Sequence, residues 1–304
     1  MAFSTPASAT PEPGAARAGA APGAGLRSHY AIGVRRLVRH RGALAGAIVV
    51  TAFLMGALLA PKLALHDPAG AQFSLALQPP TWRFPLGTDS FGRDILSRLL
   101  YGGRISLTIG AISVALSFLL GLPLGIAAGF FGGRADNLIM RVVDVWLAFP
   151  GLLLAIGIVA VLGPGIQNVM LAIGIAGVPG VARLVRGSVL SVKEEAYVEV
   201  GRAVGGSDVH IIRAHILPNV LAPVVVLLTL RLGTAILTGV GLSFLGLGVQ
   251  PPAPEWGAMV AEGRTYLRQA WWVSTIPGGA IFLSVMGFNL LGDGLRDALD
   301  PRLH

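Results

Sequence analysis

The sequence predicts an all-α integral membrane protein with six transmembrane helices and both termini in the cytoplasm. Three observations carry that prediction. Hydrophobic residues make up 54% of the 304-residue chain and charged residues only 12%, with a mean hydropathy of +0.72. Soluble domains carry about 25% charged residues, so this chain is too poor in charge to cover itself with a water-facing shell. Its apolar residues gather in six stretches, each long enough at about 1.5 Å per residue to cross a hydrocarbon layer of roughly 30 Å. Cations also divide unevenly between the loops that successive crossings place on opposite sides. Fifteen Lys and Arg fall on the side of the termini and seven on the other. Cytoplasmic loops are the ones enriched in Lys and Arg, which orients the chain.

Composition removes whole classes of chemistry. There is no cysteine, so disulfides, thiolate metal sites and cysteine nucleophiles are excluded together. The net charge of +8 comes almost entirely from arginine, lysine occurring only as Lys62 and Lys193. In so apolar a chain, basic residues mark cytoplasmic loops rather than a nucleic-acid surface.

The elements follow in order. Residues 1–41 are rich in Ala, Pro, Gly and Ser and end in Arg35, Arg36, Arg39 and Arg41. They read as a disordered basic tail, and without an apolar stretch near the start they do not read as a signal peptide. Residues 42–60 form the first transmembrane helix, stopped by Pro61. Residues 61–104 hold Pro79-Pro80, Pro85 and several charges and read as an extracytoplasmic loop. The core domain occupies 105–304, with five further crossings near 105–130, 138–161, 166–185, 220–245 and 271–291. A cytoplasmic loop at 187–218 interrupts them. In the second crossing, Gly121, Gly125, Gly129 and Gly133 recur every fourth residue and predict a close helix–helix seam, with a kink at Pro123. Trp271 and Trp272 suit an interfacial belt.

The stretch from Arg186, RGSVLSVKEEAYVEVGRAVGGSDVHIIRAHILPN, is too polar for a membrane. Ser191 and Glu194 have the spacing of a capping box, which would place Glu194 and Glu195 in the first turn of a helix. Ala196, Tyr197, Val200 and Val204 fall near one face of it. Gly205-Gly206 ends it, and Ser207 can cap a second helix with Asp208 in its first turn. Val209, Ile211, Ile212 and Ile216 are the apolar positions of that helix, which Pro218 closes. A helix–turn–helix with one apolar face requires either a groove in another protein or a packing site on its own bundle; spacing does not choose between them. From Ser191 to Pro218 it carries Lys193, Arg202 and Arg213 against Glu194, Glu195, Glu199 and Asp208, a net acidic balance that argues against DNA binding.

Charges at membrane depth complete the candidates. Arg231 lies mid-way along the fifth crossing, at a cost of about 2.5–3.5 kcal/mol on insertion scales. It requires a wet cavity, as a translocation-path residue, or a structural partner. Arg141 and Asp144 are spaced to pair with each other, and Arg183 and Arg186 to snorkel to the interface. No Lys sits in a phosphate-binding P-loop, since Lys62 precedes Leu63 and Lys193 precedes Glu194. No zinc-protease pair and no nucleophile elbow occurs, so neither catalytic nor metal-binding residues are assigned. His210 and His215 are five apart, which on an α-helix puts them on different faces.

These residues carry a resemblance. EVGRAVGGSDVHIIRAHILPN (199–219) resembles the EAA loop of inner-membrane permease subunits of ABC importers, in the dipeptide/oligopeptide/nickel branch. PLGTDSFGRDILSRLLYGGRISL (85–107), LSFLGLGVQPPAPEWG (242–257) and GDGLRDALDPR (292–302) resemble three more segments of the same branch. Val200 and Gly201 depart from the two alanines of the loop, and His215 from its usual Ile. The resemblance implies a type I ABC importer permease fold and the second permease of a pair, most readily for di- or oligopeptides. It implies a coupling helix that meets an ATPase through Glu195, Ala196, Tyr197, Glu199, Gly205, Ser207, Asp208, Leu217 and Pro218. The implied partners are a homologous permease, two ATP-binding subunits, an extracytoplasmic substrate-binding protein and the lipid bilayer, with no nucleic acid. No cofactor is expected on this chain; ATP and Mg are expected in the partner ATPases. A stand-alone channel or secondary transporter is the alternative.

Overall fold

The computed structural model describes residues 40–299. Nearly all of the expected disordered tail, and the end of the GDGLRDALDPR segment, lie outside the described residues. Helix α1 (Arg41–Leu58) is capped by His40, whose Nδ1 accepts from the Ala43 amide at 3.1 Å. Pro61 does not simply stop it. A further turn, Ala60–Leu63, begins there, because proline fits the first helical positions where its missing N–H is not needed.

Helix α2 (Ile95–Phe131) begins ten residues before the apolar stretch does. Asp94 caps it by accepting from the Ser97 amide at 3.0 Å. At 37 residues it is roughly 55 Å long and overhangs a membrane. Its polar first turns are buried in protein: Ser97 and Arg98 are 0% and 1% exposed. Arg93 bridges Asp89 at 2.6 Å and Glu262 at 2.7 Å, and Arg98 reaches the same two carboxylates at 3.4 Å. This network clamps the segment before α2 to α9 (Trp256–Gly263).

The expected third crossing is not one helix. Helices α3 (Gly133–Leu147) and α4 (Gly151–Leu162) meet at 86°. Pro150 supplies no amide, and a residue before proline is pushed out of helical geometry, so the chain turns at Phe149-Pro150. Helix α5 (Ile166–Lys193) follows, then α6 (Ala196–Ala203) and α7 (Asp208–Ile211). A π turn over Ile212–Ile216 carries α7 directly into α8 (Leu217–Phe244), and α10 (Trp272–Leu299) ends the described chain. Among the described residues, five helices are long and apolar enough to cross a membrane, or six if the bent α3–α4 pair counts as one.

Small residues set the packing. A Cβ on Gly121, Gly125 or Gly129 would stand 2.7, 2.5 or 2.8 Å from the Cβ of Val181, Val185 or Val189. The constant offset shows α2 and α5 running parallel at backbone contact. Gly133 is not on this seam; it opens α3 with nothing near it. Helix α8 runs antiparallel to both, Gly110 meeting Ile236 and Gly239 meeting Ile109 and Ile173. Helix α10 packs antiparallel on α8 and α1, with Gly292 on Leu230 and Gly287 on Val49 and Val50. These directions put 59–94 and 245–271 on one face. Both described ends and the 194–216 segment lie on the other.

The charges of α3 pair outward to α5 rather than within the helix. Arg186 holds Asp136 through Nε at 2.5 Å and Nη2 at 2.6 Å, and Arg183 pairs with Asp144. The expected Arg141–Asp144 pair is absent among the described residues, and Arg183 and Arg186 bind carboxylates rather than snorkelling free.

Candidate functional site

The 194–216 segment is held from beneath by three side chains with no exposure: Val198, Ile211 and Ile216. They join Phe130 of α2, Val185 and Val189 of α5 and Val220 of α8 in one apolar cluster. At roughly 25 cal/mol per Å2 of apolar area, each such side chain contributes about 1.5–3 kcal/mol to seating the segment. Cations close the rim. The Lys193 ammonium donates to the Phe130 carbonyl at 2.7 Å, and the Arg202 guanidinium stands 5.3 Å from the Phe130 ring centre.

The first helix starts later than its expected capping box. Ser191 lies inside α5, and Glu194 ends that helix. Glu195 is the N-cap of α6 and makes no side-chain cap, while Glu199 is in its first turn. Gly205, at φ +83°, reverses the chain, and the Gly206 amide closes back on the Gly201 carbonyl at 3.0 Å. Ser207 caps α7 by accepting from the His210 amide at 3.3 Å, and Asp208 occupies the first turn. Pro218 does not close this helix. Its ring cannot accept α-geometry against the preceding turn, so the chain widens: the Leu217 amide bonds to the Ile212 carbonyl, five residues back. The wide turn also brings His210 and His215 together, ring centres 5.9 Å apart. Tyr197 sits 5.9 Å from His215 on the other side, and burial, then the Glu195 carboxylate, hold its phenol above the ordinary range.

The opposite side of the segment is open. Tyr197, Val200 and Val204 are 41%, 61% and 80% exposed at helical spacing, with Val209 beside them, and Glu195, Ala196, Glu199, Ser207 and Asp208 are exposed around them. Leu217 is half-buried and Pro218 exposed. One of the two alternatives left open by spacing is present, since one face packs on the chain's own bundle; a second apolar face has no cover among the described residues. Val198, the anchor, was missed because the more numerous apolar residues of α6 face outward.

Arg231 is remote from this segment. It lines a cavity of about 150 Å3 together with Ser113, Ser117, Gly177, Thr234 and Thr238. No group of three or more His, Asp or Glu side chains suited to a metal occurs among the described residues.

The likeness to known proteins matches this arrangement. Residues 121–304 match the family described as binding-protein-dependent transport system inner membrane component, and 30–80 match the N-terminal TM domain of oligopeptide transport permease C. The chain is 48% identical over 270 residues to the di/tripeptide transport system permease protein DppC of Pseudomonas aeruginosa, covering 87% of this chain and 89% of that protein. It is 46% identical to the glutathione transport system permease protein GsiD of Pectobacterium atrosepticum (88% and 90% covered). It is 44% identical to the probable D,D-dipeptide transport system permease protein DdpC of Escherichia coli (84% and 86% covered). In fold it is similar to a chain of the MetNI methionine ABC transporter in an inward-facing conformation, with a TM-score of 0.53 at 20% identity over 67% of this chain and 97% of that one. The chain belongs to the inner-membrane permease components of binding-protein-dependent ABC transporters, a multi-pass transport subunit and not the ATPase.

Proposed function

We propose that the chain imports di- or oligopeptides as one of two homologous permeases that form a shared translocation path. Two cytoplasmic ATP-binding subunits and an extracytoplasmic substrate-binding protein complete the importer, and ATP and Mg bind in the ATPases. The observation that carries this reading is the two-faced 194–216 segment, packed by Val198, Ile211 and Ile216 and bare at Tyr197, Val200 and Val204. The peptide class is supported by the names of the relatives above.

In this reading α6 is the coupling helix, and Glu195, Ala196, Tyr197, Glu199, Gly205, Ser207, Asp208, Leu217 and Pro218 form or shape its contact with an ATPase. The cation bias supports placing 1–41 and 187–218 in the cytoplasm and 61–104 outside. ATPase closure displaces α6. Because α6 is seated on the ends of α2, α5 and α8, that displacement passes into the helices rather than dissipating in a loop. Arg231, half-way along α8, faces the translocation path.

The chain has no cysteine, so Tyr197→Cys and Val204→Cys each give a unique crosslinking handle. In membranes taking up peptide, both are expected to capture a P-loop subunit in a nucleotide-dependent way. Persistent failure to capture one during active uptake would falsify the coupling assignment.

A further inference from the structure

Arg231 is a cation at mid-membrane with nothing to neutralise it among the described residues. Among the described residues it forms no ion pair and donates no hydrogen bond, and its Nε is shut away without a partner. Space has been kept for it. A Cβ on Gly180 of α5 would overlap the guanidinium, and one on Gly177 would stand 3.5 Å from Nη1.

Four hydroxyls share the cavity, and each has already used its proton. Ser113 donates to the Met170 carbonyl at 3.1 Å and Ser117 to the Gly174 carbonyl at 2.7 Å. Thr234 donates to the Arg231 carbonyl at 3.0 Å and Thr238 to the Thr234 carbonyl at 2.8 Å. A hydroxyl has one proton and two lone pairs, so these four offer the cavity acceptors only. The site therefore sets one planar fork of donors among several acceptors. Sulfate, with bare oxygens on every side, would meet those lone pairs with nothing to donate. A carboxylate suits the fork in bidentate geometry, provided that an N–H of the same ligand faces the hydroxyls. The free C-terminal end of a peptide carries both groups on its last residue. At about 150 Å3 the cavity has room for a chain end rather than a whole oligopeptide.

We propose that Arg231 receives the C-terminal carboxylate of a peptide in transit, while the hydroxyls of Ser113, Ser117, Thr234 and Thr238 accept its N–H groups. The proposal rests on the permease reading and names what the path recognises.

The test uses the complete importer in proteoliposomes with its binding protein, and two probes: alanyl-alanine and its C-terminal amide, each supplied so that the binding protein is equally loaded. Uptake of both is compared in wild type, Arg231→Gln and Arg231→Lys. The contribution of the binding protein is common to all three and cancels in the acid-to-amide ratio. Loss of a charged bidentate contact is expected to lower that ratio about tenfold or more in Arg231→Gln, with Arg231→Lys between. Equal losses for both probes, as an ion pair to the second permease would give, overturn the carboxylate site. So does an unchanged ratio. If Arg231→Gln does not assemble, the Arg231→Lys ratio decides alone. A wild-type complex that takes up neither probe, nor tri- to penta-alanine, with ATP overturns the peptide reading instead, which separates the two failures.

Discussion

Arg186 of α5 holds Asp136 of α3 in a two-pronged grip, Nε to Oδ1 at 2.5 Å and Nη2 to Oδ2 at 2.6 Å. The pair fixes the helix that enters the 86° bend against the helix that leads to the 194–216 segment. Asp136→Asn keeps the shape and removes the charge. Because both groups retain some water, we expect a loss of about 1 kcal/mol, read as a lower thermal midpoint of the purified complex. Arg186→Gln should cost a similar amount and the double variant little more than either, since both remove one interaction. Additive losses would show the pair to be energetically idle.

The α2–α5 seam makes a sharper prediction. At Gly125 an added Cβ would already stand 2.5 Å from Val185 Cβ and 2.6 Å from the Ala182 carbonyl. Neither backbone nor a β-branched carbon can yield, so Gly125→Ala forces the helices apart. Overpacking of this kind costs about 1–3 kcal/mol. Gly125→Ala combined with Val185→Ala should recover part of it, as measured by detergent stability. Gly151→Ala, where nothing stands within 4 Å, should be neutral by the same measure. Equal stability of Gly125→Ala and Gly151→Ala would refute the close seam.

Anchoring and the proposed docking should separate on the 194–216 segment. Val198, within α6, has no exposure, and Val204, its C-cap, is 80% exposed. Val198→Ala leaves a hole under α6 and is expected to lower stability by about 1–2 kcal/mol. Val204→Asp puts a charge on the open face and is expected to leave the midpoint within about 0.5 kcal/mol while abolishing co-purification of the ATPases. If Val204→Asp unfolds the subunit instead, its face is packed and the docking surface lies elsewhere.

What the sequence made legible was local. The presence of the apolar stretches, the four-residue spacing of Gly121, Gly125 and Gly129, and the Gly205-Gly206 stop could each be read from a short window. The start of α2 was not legible, because the burial of Arg98 depends on Asp89 and on Glu262, 164 residues away. Without that network, Arg98 and Ser97 read as loop. The α3–α4 bend did have a signal, Phe149-Pro150-Gly151, but the apolar run across it outweighed the proline. Around the 194–216 segment the turn residues were legible and the burial was not. Ala196, Tyr197, Val200 and Val204 marked an apolar face without saying what it packs on, and the residue seated on the bundle is Val198. Arg231 stood out by charge alone, while the exhausted hydroxyls around it come from two helices, α2 and α8, that no short motif unites.

The π turn before Pro218 is the feature whose removal should be most informative. An α-helix through 208–218 would place His210 and His215 on different faces, and the five-residue turn brings their rings to 5.9 Å. Proline enforces the turn, since it has no amide to give the Ala214 carbonyl and its ring crowds that group. Pro218→Ala restores the amide and removes the crowding, so the turn can tighten to α-geometry. Tightening rotates α7 by about a quarter-turn or more relative to α8, which moves Ile211 out of its pocket and carries α6 with it. We expect Pro218→Ala to assemble and to insert, and to lose most ATP-dependent uptake. The crosslink from Tyr197→Cys should weaken or shift to a different ATPase residue in the same membranes. A Pro218→Ala importer with full uptake and an unchanged Tyr197→Cys crosslink would show that the wide turn is incidental, and that the seating of α6 tolerates a rotation that the burial of Ile211 says it should not.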